Sequence, residues 1–257
     1  TYYKRRFIRI FPPLVIMILT TLPFTLLLPS DFRANLAKQV AAAIGFVTNR
    51  FEIQSGLSYE AQQTPQLYIH TWTLSLEFLF YLVWGALLFI LVFWLKKQGL
   101  TGKKLLNQTR FVVFIVAVLA SFASIIYPQV TIDPKYLSYS YFAFASHAYP
   151  FFIGALVATI VGVRISEHQQ ARFAVYPIKK LLVWSGLPIL ILLALSLFGK
   201  FESSWTIRTN LILTSILTAI LIVQFRILHE RTSRPEPKLL TVLADTSYSH
   251  SLFHWPV

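Results

Sequence analysis

The sequence predicts an all-α, polytopic transmembrane helical bundle with about seven membrane spans and one interfacial or re-entrant segment. Of the 257 residues, 56% are hydrophobic and only 13% are charged. The apolar residues occur in long blocks, and a block of about 20 such residues is long enough to cross a bilayer as a helix. The basic residues are concentrated in short segments between these blocks, which is typical of cytoplasmic loops.

The predicted spans are separated by short polar segments. They cover residues 10–29, 70–95, 111–128, 147–163, 181–199 and 205–225, and a last span begins near Leu239. The apolar part of segment 31–49 is too short to cross, so we predict that it is interfacial or re-entrant, and that residues 50–69 form a polar loop. Pro12 and Pro13 are expected in the opening turn of the first span, where proline is tolerated, and Pro23 is expected to kink it.

Charge determines the predicted orientation. If the N-terminal segment is cytoplasmic and 31–49 does not cross, all but six of the 23 basic residues are cytoplasmic; the six are Arg33, Lys38, Arg50, Lys135, Lys200 and Arg208. If 31–49 crossed, the strongly basic loop 96–110 would lie outside, against the positive-inside rule. The net charge of +13 therefore indicates topology, and no nucleic-acid partner is predicted. The absence of cysteine excludes disulfide and thiol chemistry.

His70 and Glu77 are the first candidate catalytic residues. In a continuous helix, seven positions are two turns, so the two side chains would share one face about 10 Å apart. Glu77 precedes an uncharged run that extends to Leu95, and an ionisable group inside hydrocarbon indicates a functional site. The alternative is a structural ion pair with a neighbouring helix. His70 could act as a general base, or it could be an interfacial residue beside Trp72.

Arg6 and Arg9 are candidate ligand-binding residues, one helical turn apart at the predicted cytoplasmic mouth. A pair of guanidinium groups suits a phosphate-rich ligand, although an ordinary positive-inside anchor has the same spacing. The six histidines never form the close pairs with a carboxylate that a zinc site favours, so no metal is predicted.

Four ordered blocks resemble the conserved segments of the integral-membrane acyltransferase family 3. They are YKRRFIRIFPP at 3–13, HTWTLSLEFLFYLVWG at 70–85, SHAYPFFIGALVA at 146–158 and ADTSYSHSLFHWPV at 244–257. The amino-acid sequences of the last two blocks resemble those of the Gram-positive peptidoglycan O-acetyltransferase branch. The resemblance implies a multi-pass enzyme of the bacterial cytoplasmic membrane. It would move an acyl group, usually acetyl from acetyl-CoA, to a hydroxyl of a cell-surface glycan such as peptidoglycan.

The resemblance also implies roles for individual residues. Arg6 and Arg9 match the family's donor-handling pair, and His70 and Glu77 match its second block, in which Thr73 replaces the usual serine. The acceptor-side or supporting candidates are Trp72, Tyr81, His147, Ser247, Tyr248 and His254. Acetyl-CoA would be a substrate, with no bound cofactor, and the other expected partners are the lipid bilayer and a saccharide acceptor.

The family pattern also predicts that residues 1–257 are a single membrane acyltransferase domain that is incomplete at both ends. The family's first two helices, with a histidine regarded as essential, would precede Thr1, and an extracellular esterase-like domain often follows in the peptidoglycan branch. A different class of function remains open, namely a transporter or flippase of a glycan or lipid-linked substrate, and a purely structural subunit is a third alternative. Mid-membrane polar features in two related halves would favour the transporter.

Overall fold

The computed structural model describes residues 2–33, 35–55, 66–132, 137–162, 175, 177–198, 203–232 and 237–254. These residues are mostly helical and contain no strand, which confirms the all-α class. Their α-helices are α1 (Tyr2–Thr21), α2 (Leu36–Ile44), α3 (Thr48–Ser55), α4 (Trp72–Lys97), α5 (Gly102–Thr131), α6 (Leu137–Phe142), α7 (Phe144–His147), α8 (Tyr149–Val161), α9 (Ile178–Phe198), α10 (Leu211–Thr232) and α11 (Lys238–Phe253).

Six of the predicted spans are confirmed by helical segments that are long and apolar enough to cross a membrane. They are Tyr2–Leu27, Ile69–Lys97, Gly102–Thr131, Phe144–Val161, Ile178–Phe198 and Thr206–Arg231. The predicted seventh falls on α11, whose 16 residues are fewer than the roughly 20 that a span needs. The prediction of about seven spans is therefore one more than the described residues show.

Between the first two spans the described chain forms short helices. α2 has nine residues and α3 has eight, so each is about 12–14 Å long, against roughly 30 Å of hydrocarbon. Neither can span, as predicted for segment 31–49. The loop prediction for 50–69 is wrong at both ends, because α3 extends to Ser55 and a 3₁₀ turn occupies Ile69–Thr71. Residues 56–65 lie outside the described part of the chain.

The prolines of the first span act differently from the prediction. α1 begins at Tyr2, so Pro12 and Pro13 lie inside the helix rather than in its opening turn. The prediction was wrong because the basic residues before the apolar block are helical as well. Pro23 follows the end of α1 and begins a 3₁₀ helix, Pro23–Leu27, since proline has no N–H to continue the α-helical ladder.

The chain forms two compact units. The first consists of Thr1–Leu91, Tyr136–Phe144 and Glu236–Val257, and the second of Val92–Lys135 and Ala145–Pro235. The core of the first unit joins distant parts of the sequence: Ile10, Leu14, Met17, Ile18, Ala43, Phe46, Leu67, Tyr68, Leu74 and Leu252. In the second unit α5 packs against α8, and α10 packs against α8 and α9. That residues 1–257 form a single domain stays a prediction.

Candidate active site

The N-terminal part of α1 lies close against the middle of the span Ile69–Lys97. The Tyr3 hydroxyl donates a hydrogen bond of 3.0 Å to the Leu82 carbonyl. Gly85 makes this approach possible, because a Cβ there would lie 2.7 Å from Cε1 of Tyr2 and 2.8 Å from the Tyr3 hydroxyl. A side chain at position 85 would therefore displace the Tyr2 and Tyr3 rings from this part of the span.

This approach places the Arg6 side chain beside the middle of the segment Ile69–Lys97. The guanidinium carbon of Arg6 lies 4.7 Å from the centre of the Tyr81 ring, which is a cation–π contact. Tyr81 in turn donates a hydrogen bond of 2.5 Å from its hydroxyl to Oε1 of Glu77. Tyr81 thus connects the arginine of α1 with the carboxylate of α4.

Tyr248 of α11 completes this group, which we call the arginine cluster: Arg6, Arg9, Glu77, Tyr81 and Tyr248. The Tyr248 hydroxyl donates to the Ile10 carbonyl at 3.1 Å, so α11 is fixed to α1 at the cluster. Arg9 and Glu77 are both within electrostatic range of that hydroxyl. The cluster therefore draws its polar groups from three helices that are far apart in the sequence.

Glu77 is not neutralised by a direct ion pair within the described part of the chain. There, Arg226 and Glu230, in the second unit, are the only oppositely charged side chains within 4.0 Å of each other. The predicted alternative of a structural ion pair is thus not observed for Glu77. A carboxylate and guanidinium groups held near each other without pairing are available to bind the charged or polar groups of a ligand.

A cavity of 310 Å³ lies beside the arginine cluster. Its wall includes two basic residues, Lys4 and Arg6, and four aromatic residues: Tyr3, Phe7, Phe78 and Tyr81. The volume is at the lower end of the range of small-molecule sites, about 300–1,000 Å³. The surface that these residues present to the cavity is almost entirely apolar, so the cavity itself suits the apolar part of a ligand.

His70 lies in the 3₁₀ turn Ile69–Thr71, immediately before α4 begins at Trp72. The prediction that His70 and Glu77 occupy one face of a continuous α-helix is therefore wrong. The turn is fixed by Thr71, whose backbone N–H and hydroxyl donate to the Tyr68 carbonyl at 3.1 and 2.7 Å. The buried His70 ring instead meets the edge of the His254 ring, with 5.9 Å between ring centres.

The two imidazoles differ in their surroundings. Neither ring nitrogen of His70 makes a hydrogen bond of ordinary geometry within the described residues, although the Leu67 and Leu252 carbonyls are close. His254 is exposed, and its Nδ1 lies 2.8 Å from the Ser251 carbonyl. Because a carbonyl only accepts, this contact assigns the proton to Nδ1 in the neutral ring and leaves Nε2 as the basic nitrogen.

The other predicted residues lie outside these two groups. Trp72 is buried against Tyr141 and Phe142, with ring centres 5.1 and 5.3 Å away. Ser247 is exposed, and its hydroxyl donates to the Ala244 carbonyl of its own helix at 2.8 Å. His147 ends α7 and belongs to the second unit. The structure therefore brings seven predicted residues into two groups. Arg6, Arg9, Glu77, Tyr81 and Tyr248 form one group, and His70 and His254, which the sequence did not pair, form the other.

A buried polar layer beside the His70 turn was missed from the sequence. The Thr48 and Thr71 hydroxyls are 2.9 Å apart, and the Thr48 backbone N–H donates to the Ser75 hydroxyl at 3.1 Å. Glu52, fully buried one turn later in α3, accepts from Gln66 at 2.5 and 3.3 Å when the amide nitrogen faces the carboxylate. The sequence did contain one indication, the four-residue spacing of Thr48 and Glu52. That spacing places two side chains on one face only if the segment is helical, and the sequence analysis predicted a loop there.

The pKa of Glu52 is raised to about 7, because burial disfavours the charged carboxylate more than the Gln66 hydrogen bond favours it. Unfolded Glu52 ionises near 4.5, whereas the folded carboxyl keeps its proton until about pH 7. The protonated Glu52 carboxyl therefore stabilises the folded state fully below its pKa in the unfolded chain. This stabilisation is lost as the pH rises through the pKa in the folded protein. The loss amounts to a few kcal/mol at most, at about 1.4 kcal/mol per pKa unit.

We expect the stability of the wild-type protein to fall, relative to Glu52→Gln, between about pH 5 and pH 8. Denaturant unfolding of both proteins in detergent at several pH values measures this difference. Asp245→Asn, which removes an exposed carboxylate on α11, is the control and should follow the wild type. Parallel pH profiles for the wild type and Glu52→Gln would contradict the assignment.

Comparison with known proteins identifies a family and bacterial relatives. The family model described as an acyltransferase domain matches residues 1–257. A Staphylococcus aureus (strain COL) protein, provisionally named an O-acetyltransferase, is 23% identical over 263 residues, which cover 100% of this chain and 40% of that protein. The O-acetyltransferase OatA of S. aureus (strain NCTC 8325) is 27% identical over 116 residues, 45% of this chain and 18% of OatA. No solved structure matches the chain.

The chain thus spans less than half the length of these relatives. The family match extends over both compact units and includes every residue of the arginine cluster and both paired histidines. The resemblance seen in the four sequence blocks is therefore confirmed over the whole chain. This protein belongs to the integral-membrane acyltransferase family 3.

Proposed function

We propose that the protein transfers an acetyl group from acetyl-CoA to a hydroxyl of a cell-surface glycan such as peptidoglycan. The single observation that supports this most strongly is the arginine cluster beside a cavity at the depth of mid-span. Arginine at that depth is costly and indicates a function. The names of the S. aureus relatives, which are O-acetyltransferases, support an oxygen acceptor.

In this proposal the anionic part of the donor binds Arg6, Arg9 and Lys4. Guanidinium groups bind phosphate oxygens with two parallel hydrogen bonds, which a single ammonium cannot provide. Because Arg6 lies beside the middle of a span, the donor's thioester tail would extend into the bundle rather than react at the membrane surface. Phe78 and Tyr81 supply the aromatic wall along which the apolar portion of that tail would lie.

The acceptor hydroxyl would react at the histidine pair. An imidazole nitrogen takes the hydroxyl proton while the oxygen attacks the thioester carbonyl, the C–S bond breaks, a C–O ester bond forms, and the departing sulfur takes up a proton. The exposed His254 ring, with its basic Nε2, would meet the external sugar in this proposal. His70 lies against it on the buried side, and we propose that the pair acts together.

The test is transfer in proteoliposomes that contain the full-length protein, with radiolabelled acetyl-CoA on one side and glycan fragments on the other. We expect alkali-labile acetyl esters on the glycan that require both substrates. Glycan fragments that cross the membrane without becoming acetylated would instead support the transporter alternative. An equal yield of ester with and without protein would exclude the proposal.

A further inference from the structure

The second unit contains an apolar groove that has no part in the proposed transfer reaction. Its volume is 530 Å³, and α5, α8 and α10 form its walls. Typical lining residues are Val118 and Phe122 of α5, Ile153 of α8, and Ala219 and Ile220 of α10. This volume is within the range of small-molecule sites, about 300–1,000 Å³.

The groove opens on a surface that faces hydrocarbon. All three walls belong to segments that are long and apolar enough to cross a membrane. At its opening, Phe122 is 65% exposed and Ile220 is 42% exposed. An apolar groove on the side of a membrane span is filled by an acyl chain rather than by water.

Hydrogen bonds between the helices define how the three walls are aligned. Arg110 donates from Nη2 to the Thr159 carbonyl at 2.6 Å, and the Ser124 hydroxyl donates to the Ala145 carbonyl at 2.6 Å. α5 therefore runs antiparallel to α8. α5 also runs antiparallel to the segment that leads into α10, because Gln129 near its end donates to the Arg208 carbonyl at 2.7 Å.

This alignment places two arginines at the same end of the groove. Arg110 is bonded to Thr159, two residues beyond the lining residue Val157 of α8. Arg226 is two residues beyond Gln224, the last lining residue of α10. Arg226 forms an ion pair with Glu230 at 3.3 Å. The same end of the unit also carries Lys103, Lys104 and Arg231, so it remains strongly positive.

We propose that this groove and its basic end bind an anionic phospholipid, with one acyl chain in the groove and the phosphate near Arg110 and Arg226. The apolar walls match the chain, and the cations match the headgroup charge. A zwitterionic lipid would fill the groove equally well but would gain much less from the arginines. The lipid would bridge the ends of α5, α8 and α10 and hold the second unit together.

The experiment is native mass spectrometry of the full-length protein after exchange into mixed micelles with equal amounts of phosphatidylglycerol and phosphatidylcholine. The wild type should retain phosphatidylglycerol preferentially. Arg110→Gln and Arg226→Gln should each lower this preference about fivefold, the factor that one basic residue contributes near an anionic lipid. Ala219→Trp should remove both lipids by filling the groove. Lys179→Gln/Lys180→Gln, which removes two cations from α9 outside the groove, is the control and should bind as the wild type does.

Equal retention of the two lipids by the wild type would overturn the proposal. So would a loss in the control as large as that in the arginine variants, because general charge would then explain the binding. If Ala219→Trp kept its full complement of phosphatidylglycerol, the groove would not be the site. Each variant's fold is checked by its monodispersity, and Ile153→Trp offers a second groove-filling variant if Ala219→Trp is unstable.

Discussion

Arg6→Ala should lower kcat/KM for acetyl-CoA by about 10-fold to 150-fold, the range expected for losing a hydrogen bond to a charged group, about 1.5–3 kcal/mol. The guanidinium lies over the Tyr81 ring, and Arg6 contributes to the cavity wall, so truncation to alanine removes a positive charge and part of that wall. Arg6→Lys should restore only part of the activity, because lysine lacks the planar fork and stacks less well on an aromatic ring. Initial rates of acetyl transfer against acetyl-CoA concentration in proteoliposomes measure the effect.

Arg5→Ala is the matched control. Arg5 is the adjacent cation on α1, it is exposed, and it is not among the residues that line the cavity. Both substitutions remove one positive charge from the same helix end, so they alter the positive-inside signal equally. If Arg5→Ala and Arg6→Ala lowered kcat/KM to the same extent, the arginines would act as topological anchors and not as donor ligands.

Glu77→Gln should reduce acetyl transfer by about 100-fold or more, while the amount of inserted protein stays near that of the wild type. The amide keeps the shape and still accepts the hydrogen bond from Tyr81, but it removes the only charge of the side chain. Since no guanidinium is paired directly with this carboxylate in the described residues, its neutralisation does not leave a broken ion pair. Removing one preorganised polar group that stabilises a transition state costs about 10²–10³ in rate.

Removing the Tyr81 hydroxyl tests independently whether the hydrogen bond between Tyr81 and Glu77 contributes to transfer. Tyr81→Phe keeps the ring beneath Arg6 and removes only the hydrogen bond to Glu77. If Glu77 and Tyr81 act as one unit, the double variant should lose little more activity than the worse single variant.

Asp245→Asn removes an exposed carboxylate and should leave transfer unchanged. Full activity in Glu77→Gln would refute the role of the carboxylate, and loss of the protein from the membrane would indicate a structural role.

The membrane spans could be predicted because each depends on local composition alone. A block of about 20 apolar residues is a span wherever it occurs in the sequence. The boundaries were less predictable. α1 includes the basic residues before the apolar block, and its Tyr2 and Tyr3 rings approach Gly85, more than 80 positions later. Local hydropathy contains no information about such a contact.

The sequence by itself determined the all-α class, six spans, the family, and the residue types that would carry its chemistry. Arginine, glutamate and histidine stand out in an apolar chain because water cannot solvate them there. Their grouping could not be derived in the same way. A two-turn spacing suggested that Glu77 belongs with His70, but a 3₁₀ turn ends that regularity before α4 begins.

Tertiary structure alone decided which polar groups meet. It places Arg6 over the Tyr81 ring and Tyr248 near Glu77, and it pairs His70 with His254, more than 180 residues away. It also buries Glu52, which the sequence left in a polar loop. Spacing along one helix fixes only that helix's own faces, whereas the depth of Arg6 and the partners of each charge depend on how separate helices pack in the folded bundle.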